Sequence, residues 1–171
     1  MIVTIMVLEL KPPEEPAFPA LGPRPTAVSY AVSYLFIAII WINHHHLMQF
    51  AGSPTLGLIW INFVHLFLVS LLPFATAWVA DTKLASSAVV LYAGLFVCVD
   101  IAYNVFEHQV LIRAEAAQVT PRMRRLARRR SLAVLAAFTT AALVALIAPR
   151  LGFCLICAAL VLHLRPDVGR S

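Results

Sequence analysis

Apolar residues fall into long runs separated by short polar or proline-bearing breaks, the pattern of helices that turn most of their circumference to nonpolar surroundings. The first run, residues 1–10, stops at Lys11-Pro12-Pro13-Glu14-Glu15-Pro16. As a helix it rises only about 15 Å, half of a bilayer core, so it reads as a truncated span. A proline-rich connector follows up to Pro25. Further spans are expected at about 26–47, 55–79, 84–112, 131–148 and 151–164. Gln49 to Pro54 turns the second span back on the third as an antiparallel hairpin, Pro73 should bend the third, and Asp81-Thr82-Lys83 turns into the fourth. Pro149-Arg150 separates the last two, with Arg150 and Arg165 snorkelling at the ends of a short final segment.

Composition sharpens this into a class. Of 171 residues, 61% are hydrophobic and only 12% charged, with a mean hydropathy of +0.87. A soluble domain carries roughly 25% charged residues to wet its surface. The expected fold is therefore an all-α integral membrane bundle, a single transmembrane domain over 1–171 with six helices per subunit, the first truncated, and no room for a separate soluble domain. No cleavable signal peptide is visible. Arg122, Arg124, Arg125, Arg128, Arg129 and Arg130 read as a loop between the fourth and fifth spans. The positive-inside rule puts that loop, and with it both chain ends, in the cytoplasm. The net charge of +5 resides largely in it and suits anionic lipid headgroups, not nucleic acid.

Polar residues inside the spans need partners. Ile40-Trp41-Ile42-Asn43-x-x-His46-Leu47 and Ile59-Trp60-Ile61-Asn62-x-x-His65-Leu66 repeat one pattern, with Asn and His three apart on a common helix face. The hairpin brings the two together, with His44 and His45 beside them. Interhelical hydrogen bonding, proton-sensing or gating, and a metal or haem site using His46, His65 and His108 all remain open. Asp100, Asn104 and Glu107 recur on one face of the fourth span, where a carboxylate at membrane depth is either a functional group or a hydrogen-bonded acid facing the bundle. Cys98, Cys154 and Cys157 read as ordinary packing residues. In the first run, Met1, Thr4, Ile5 and Leu8 form a bulky apolar stripe interrupted by one hydroxyl, for which helix packing alone is a sufficient account.

Taken together, Ile2 to Pro12, Ile39 to Leu47 with its W-x-N-H-H core, Leu58 to Asn62, and Leu71 to Ala77 with its L-P-F-x-T-A core resemble the bacterial branch of the transmembrane protein 175 potassium channels. The likeness covers roughly the first 115 residues; the last two spans agree only in hydropathy and in the basic segment before them. It implies a homotetramer without enzymatic activity or cofactor, with potassium as the permeant ion, in the bacterial inner membrane. The central pore would be lined by the first helix, with no filter loop of the T-V-G-Y-G kind. On that resemblance Thr4 takes the place of the threonine associated with potassium preference. Met1 takes that of the hydrophobic constriction, Ile5 and Leu8 are the next pore-facing positions, and Glu9 lies near the outer mouth. The family's upstream R-x-x-x-F-S-D has no counterpart in the chain as given, so either the reading frame begins further upstream or the pore helix is truncated. A non-conducting accessory membrane protein is the principal alternative.

Overall fold

The computed structural model describes residues 25–52, 55–114 and 119–163; the expected first span, with Met1, Thr4, Ile5 and Leu8, lies outside them. The described residues form helices and turns throughout. Helix α1 spans Pro25–Met48, opening on a proline whose fixed φ suits a first turn. Helices α2 (Leu56–Ser70) and α3 (Leu72–Asp81) form one kinked span of 26 residues. Thr55 caps it, its hydroxyl accepting from the Leu58 N–H at 3.4 Å. The kink falls where Pro73 dictates: without an amide proton Pro73 cannot continue the ladder, and the Leu71 N–H turns instead to the Leu68 carbonyl at 3.2 Å.

Helix α4, Ser86–Arg113, has 28 residues and is about 42 Å long, more than the bilayer core requires. The turn into it closes with the Leu84 N–H reaching back to the Val79 carbonyl at 3.0 Å, Lys83 and Leu84 taking positive φ. Helix α5, Pro121–Ala145, corrects the expectation of a basic loop before a span at 131. Thr120 caps the helix by accepting from the Met123 N–H at 3.3 Å, and Pro121 fills its first turn. All six arginines therefore lie on the same helix as the apolar stretch. Arginine is a good helix former, so the charge run marks where the helix leaves the lipid, not where it ends. Helix α6, Pro149–His163, returns alongside.

Helix α4 runs through the middle, packed against α2, α3, α5 and α6. Its Tyr92, Phe96 and Val99 are buried with Phe138 of α5, Phe153 and Ile156 of α6, and Leu72, Ala75 and Val79 of α3. Tyr92 meets the Phe96 ring edge-on at 4.6 Å, and Phe96 tilts onto Phe138 at 5.2 Å. Helix α1 packs chiefly along α3, so the hairpin is tight toward the α3 end and is bridged by side chains toward the turn. Exposed apolar groups concentrate on α1 and α2 (Trp41, Ile42, Trp60, Phe63 and Phe67), as suits surfaces facing lipid or a neighbouring subunit.

Close approach between α5 and α6 depends on Gly152. A Cβ there would lie 2.6 Å from the Ala145 Cβ and 2.7 Å from its Cα. Gly152→Ala is expected to force the two helices apart at a cost of about 1–3 kcal/mol, read as a lowered unfolding midpoint of the detergent-solubilised protein.

A polar junction between the first hairpin and α4

Three elements bring the sequence-predicted polar residues together, in an arrangement finer than helix periodicity supplies. On α1, successive side chains step around the helix by about 100°. His44 points into the bundle, His45 is exposed, and His46 is half-buried. His44, and not His46, meets the α2 pair: its Nε2–H donates to Asn62 Oδ1 at 2.7 Å. Its ring stacks on His65 with centroids 6.0 Å apart and on Phe106 of α4 at 5.2 Å. His65 is fully buried and tilts against Tyr103 of α4 at 5.8 Å. Neither of its ring nitrogens meets hydrogen-bond geometry with a neighbour. Trp41 stacks on His44 and on exposed His45.

Asn43 and His46 face elsewhere. They line a cavity of about 60 Å³ between α1, α4 and α5, whose other polar walls include Tyr103, Glu107, Arg130 and Ser131. That space admits a few waters at roughly 10–15 Å³ each. His46 Nε2 is buried without a direct partner, and its ring sits edge-on to Phe50 at 5.5 Å. Glu107 is held by the Ser131 hydroxyl, which donates to its Oε2 at 2.6 Å and ties α4 to α5. Asp100, buried about two turns further in, accepts from Asn104 Nδ2 at 3.2 Å, while the same amide donates to the Asp100 carbonyl at 2.8 Å.

Sequence reasoning found the Asn/His pairs and the acidic face of α4 but missed Phe106, Tyr103, Ser131 and Arg130. Only Arg130 carried a signal, as the last of the basic run and the member nearest the apolar stretch. His46, His65 and His108 are not brought together: His65 lies in the bundle interior, His46 on the cavity, and His108 on an outer groove. Among the described residues no three His, Cys, Asp or Glu side chains are arranged to hold a metal ion.

The α1–α2 contact should matter measurably to stability. Asn62→Leu is expected to cost about 1–2 kcal/mol, because hydrogen bonds between membrane helices contribute about 0.6 and at most about 1.7 kcal/mol, and the stranded His44 imidazole adds to that. A double-mutant cycle with His44→Phe checks it: the double variant should lose less than the sum of the singles.

Fold and junction define an all-helical integral membrane protein whose polar interior sits at one end of its first hairpin. The profile of the family described as the endosomal/lysosomal potassium channel TMEM175 matches residues 1–73. A potassium channel of Chryseobacterium sp. is 39% identical over 116 residues, covering 67% of this chain and 60% of that protein. A potassium channel of Chamaesiphon minutus is 28% identical over 112 residues, covering 60% of this chain and 55% of that one. The chain thus spans less than two thirds of the length of these curated relatives. In fold it matches the crystal structure of a lysosomal potassium-selective channel TMEM175 homolog from Chamaesiphon minutus, with a TM-score of 0.78 and 20% identity over 95% of this chain and 88% of that one. The likeness to the TMEM175 family thus lies in residues 1–73 and in the fold, and the proteins that the chain matches are named as potassium channels.

Proposed function

We propose that this chain is a subunit of a potassium-preferring cation channel, a homotetramer of the bacterial inner membrane with both chain ends in the cytoplasm. Ions pass down their gradient along the symmetry axis, lined by the segment that carries Met1, Thr4, Ile5 and Leu8. The carrying observation is the coincidence of that apolar stripe and its single hydroxyl with the part of the chain, residues 1–73, that matches the potassium-channel profile. Rings of Met1, Ile5 and Leu8 make a neck that blocks ions by dewetting, and Thr4 hydroxyls replace part of an ion's hydration shell. No cofactor enters this reading; potassium is the permeant. The contacts of His44 with Asn62 and His65 brace the hairpin, Asn43 and His46 face the polar cavity, and the exposed aromatic stripe of Trp60, Phe63 and Phe67 offers apolar surface to a sister subunit. The arginines of α5 favour the anionic cytoplasmic leaflet.

Reconstitution tests it directly. Protein in potassium-loaded liposomes should release the ion faster than empty vesicles and faster than it releases sodium. Oriented, folded protein with no flux above empty vesicles would leave the accessory role as the better account.

A further inference from the structure

The outer flank of α4 and α5 carries a larger recess than the polar cavity. A groove of about 410 Å³ is lined by Arg124, Arg125 and Arg128 on α5 and by His108 on α4. Arg125, Arg128 and His108 are exposed. Arg124 is set in place: its Nη2 donates to the Ala114 carbonyl at 3.0 Å, where a cation also complements the C-terminal end of α4. A guanidinium has five donors in a planar fork, so the bond to Ala114 leaves others for an anion. Glu107 also borders the groove, but it accepts the Ser131 hydroxyl, and three guanidinium groups stand against its one carboxylate.

What lies next to the arginines narrows the ligand. The Glu107–Ser131 bond puts these two residues at one level of the bundle, so Val105 and Leu132, also on the groove, lie at about that level. Both are exposed, at 42% and 52%. Leu132 is four residues past Arg128, about 6 Å along the helix and at the start of the apolar half of α5. A free phosphate would use the arginines alone; a lipid would use both parts.

We propose that the α4–α5 groove binds the headgroup phosphate of one anionic glycerophospholipid, with an acyl chain laid along Val105 and Leu132. The site rests on the membrane reading of the bundle and is independent of the pore. It differs from the diffuse attraction of a basic surface, which adds about 1 kcal/mol per cation regardless of which face the cation occupies.

Adjacent arginines provide the test. Arg128 lines this groove, whereas Arg129 lies outside it, on a second recess with Arg122 and Leu126 that shares only Arg125 with the first. The full chain in maltoside micelles is titrated with dioctanoyl phosphatidylglycerol, and the bound lipid is counted by native mass spectrometry. One lipid per subunit is expected, with dioctanoyl phosphatidylcholine and glycerol phosphate binding far more weakly. Arg128→Gln should weaken binding by about fivefold or more, and Arg129→Gln, with the same loss of charge, by less than about twofold. His108→Gln gives a second reading of the groove should Arg128→Gln fail to fold. Equal losses at Arg128 and Arg129 would overturn the site in favour of surface charge. Glycerol phosphate binding as tightly as the lipid would make it a soluble-anion site instead. Lipid binding with no potassium flux sinks the channel reading alone, and flux without site-specific lipid binding sinks this one alone.

Discussion

Replacing Ile5 by asparagine is expected to raise potassium efflux from loaded liposomes by about tenfold or more, the change that a barrier lowered by about 1.4 kcal/mol produces. A neck of isoleucine, leucine and methionine side chains empties of water because no group on its wall can hydrogen-bond the liquid, and an ion cannot cross without its hydration. In the proposed tetramer each subunit of the variant would bring one amide to the ring, and four amides on a narrow axis would hold water in place. Leu8→Asn should act in the same direction one turn further along. Leu143→Asn is the control, since Leu143 is exposed on the apolar half of α5. Efflux that rises as much for Leu143→Asn as for Ile5→Asn would mean general leakiness. Efflux unchanged in both Ile5→Asn and Leu8→Asn would remove residues 1–10 from the conduction path.

Phe96→Ala is the core substitution with the largest expected cost. Phe96 is fully buried on α4, between Tyr92 of its own helix and Phe138 of α5. In a water-soluble core such a truncation costs about 3–5 kcal/mol, part of it from apolar surface returned to water in the unfolded state. That part falls away here, because separated helices in a bilayer still face hydrocarbon. The cavity term remains, at about 24 cal/mol per Å³, or about 2–3 kcal/mol for a hole the size of a phenyl ring. Reversible unfolding in mixed micelles reads it, with exposed Leu91→Ala as the reference expected to stay within about 0.5 kcal/mol of the parent. Equal midpoints for the two variants would show that this aromatic column does not hold the bundle together.

How much of this could be read from residue order differs by element. The positions of α1, of the kinked α2–α3 span and of α4 follow from run length, because a bilayer sets a minimum number of apolar residues and Pro73 has only one way to interrupt a helix. The basic segment was harder to place. Six arginines before an apolar run suit a solvated loop as well as a helix emerging from lipid, and the signal that separates them is Thr120-Pro121, a cap and first turn placed ahead of the charges. In the junction, the shared W-x-N-x-x-H pattern marked the right pair of helices but the wrong histidine. His44 lies next to Asn43, so i, i+3 spacing could not link them, and its inward ring packs on Phe106, more than fifty residues away in sequence. The cavity walls from α5 are equally long-range. Periodicity says which residues share a face; which neighbour that face meets is a property of the assembled bundle.

The unbroken run of α5 from Pro121 to Ala145 ties the length of its charged half to the angular setting of its buried half. A linker between two spans absorbs an extra residue by bulging. A rod cannot: one residue gained after Leu126 turns everything downstream by about 100° and advances it about 1.5 Å. Val134, Phe138 and Ala141 would swing out of the interior together, and Ser131 would leave Glu107. The arginine-bearing turns are thus constrained in number as tightly as the hydrophobic ones, even though most of their arginines are exposed.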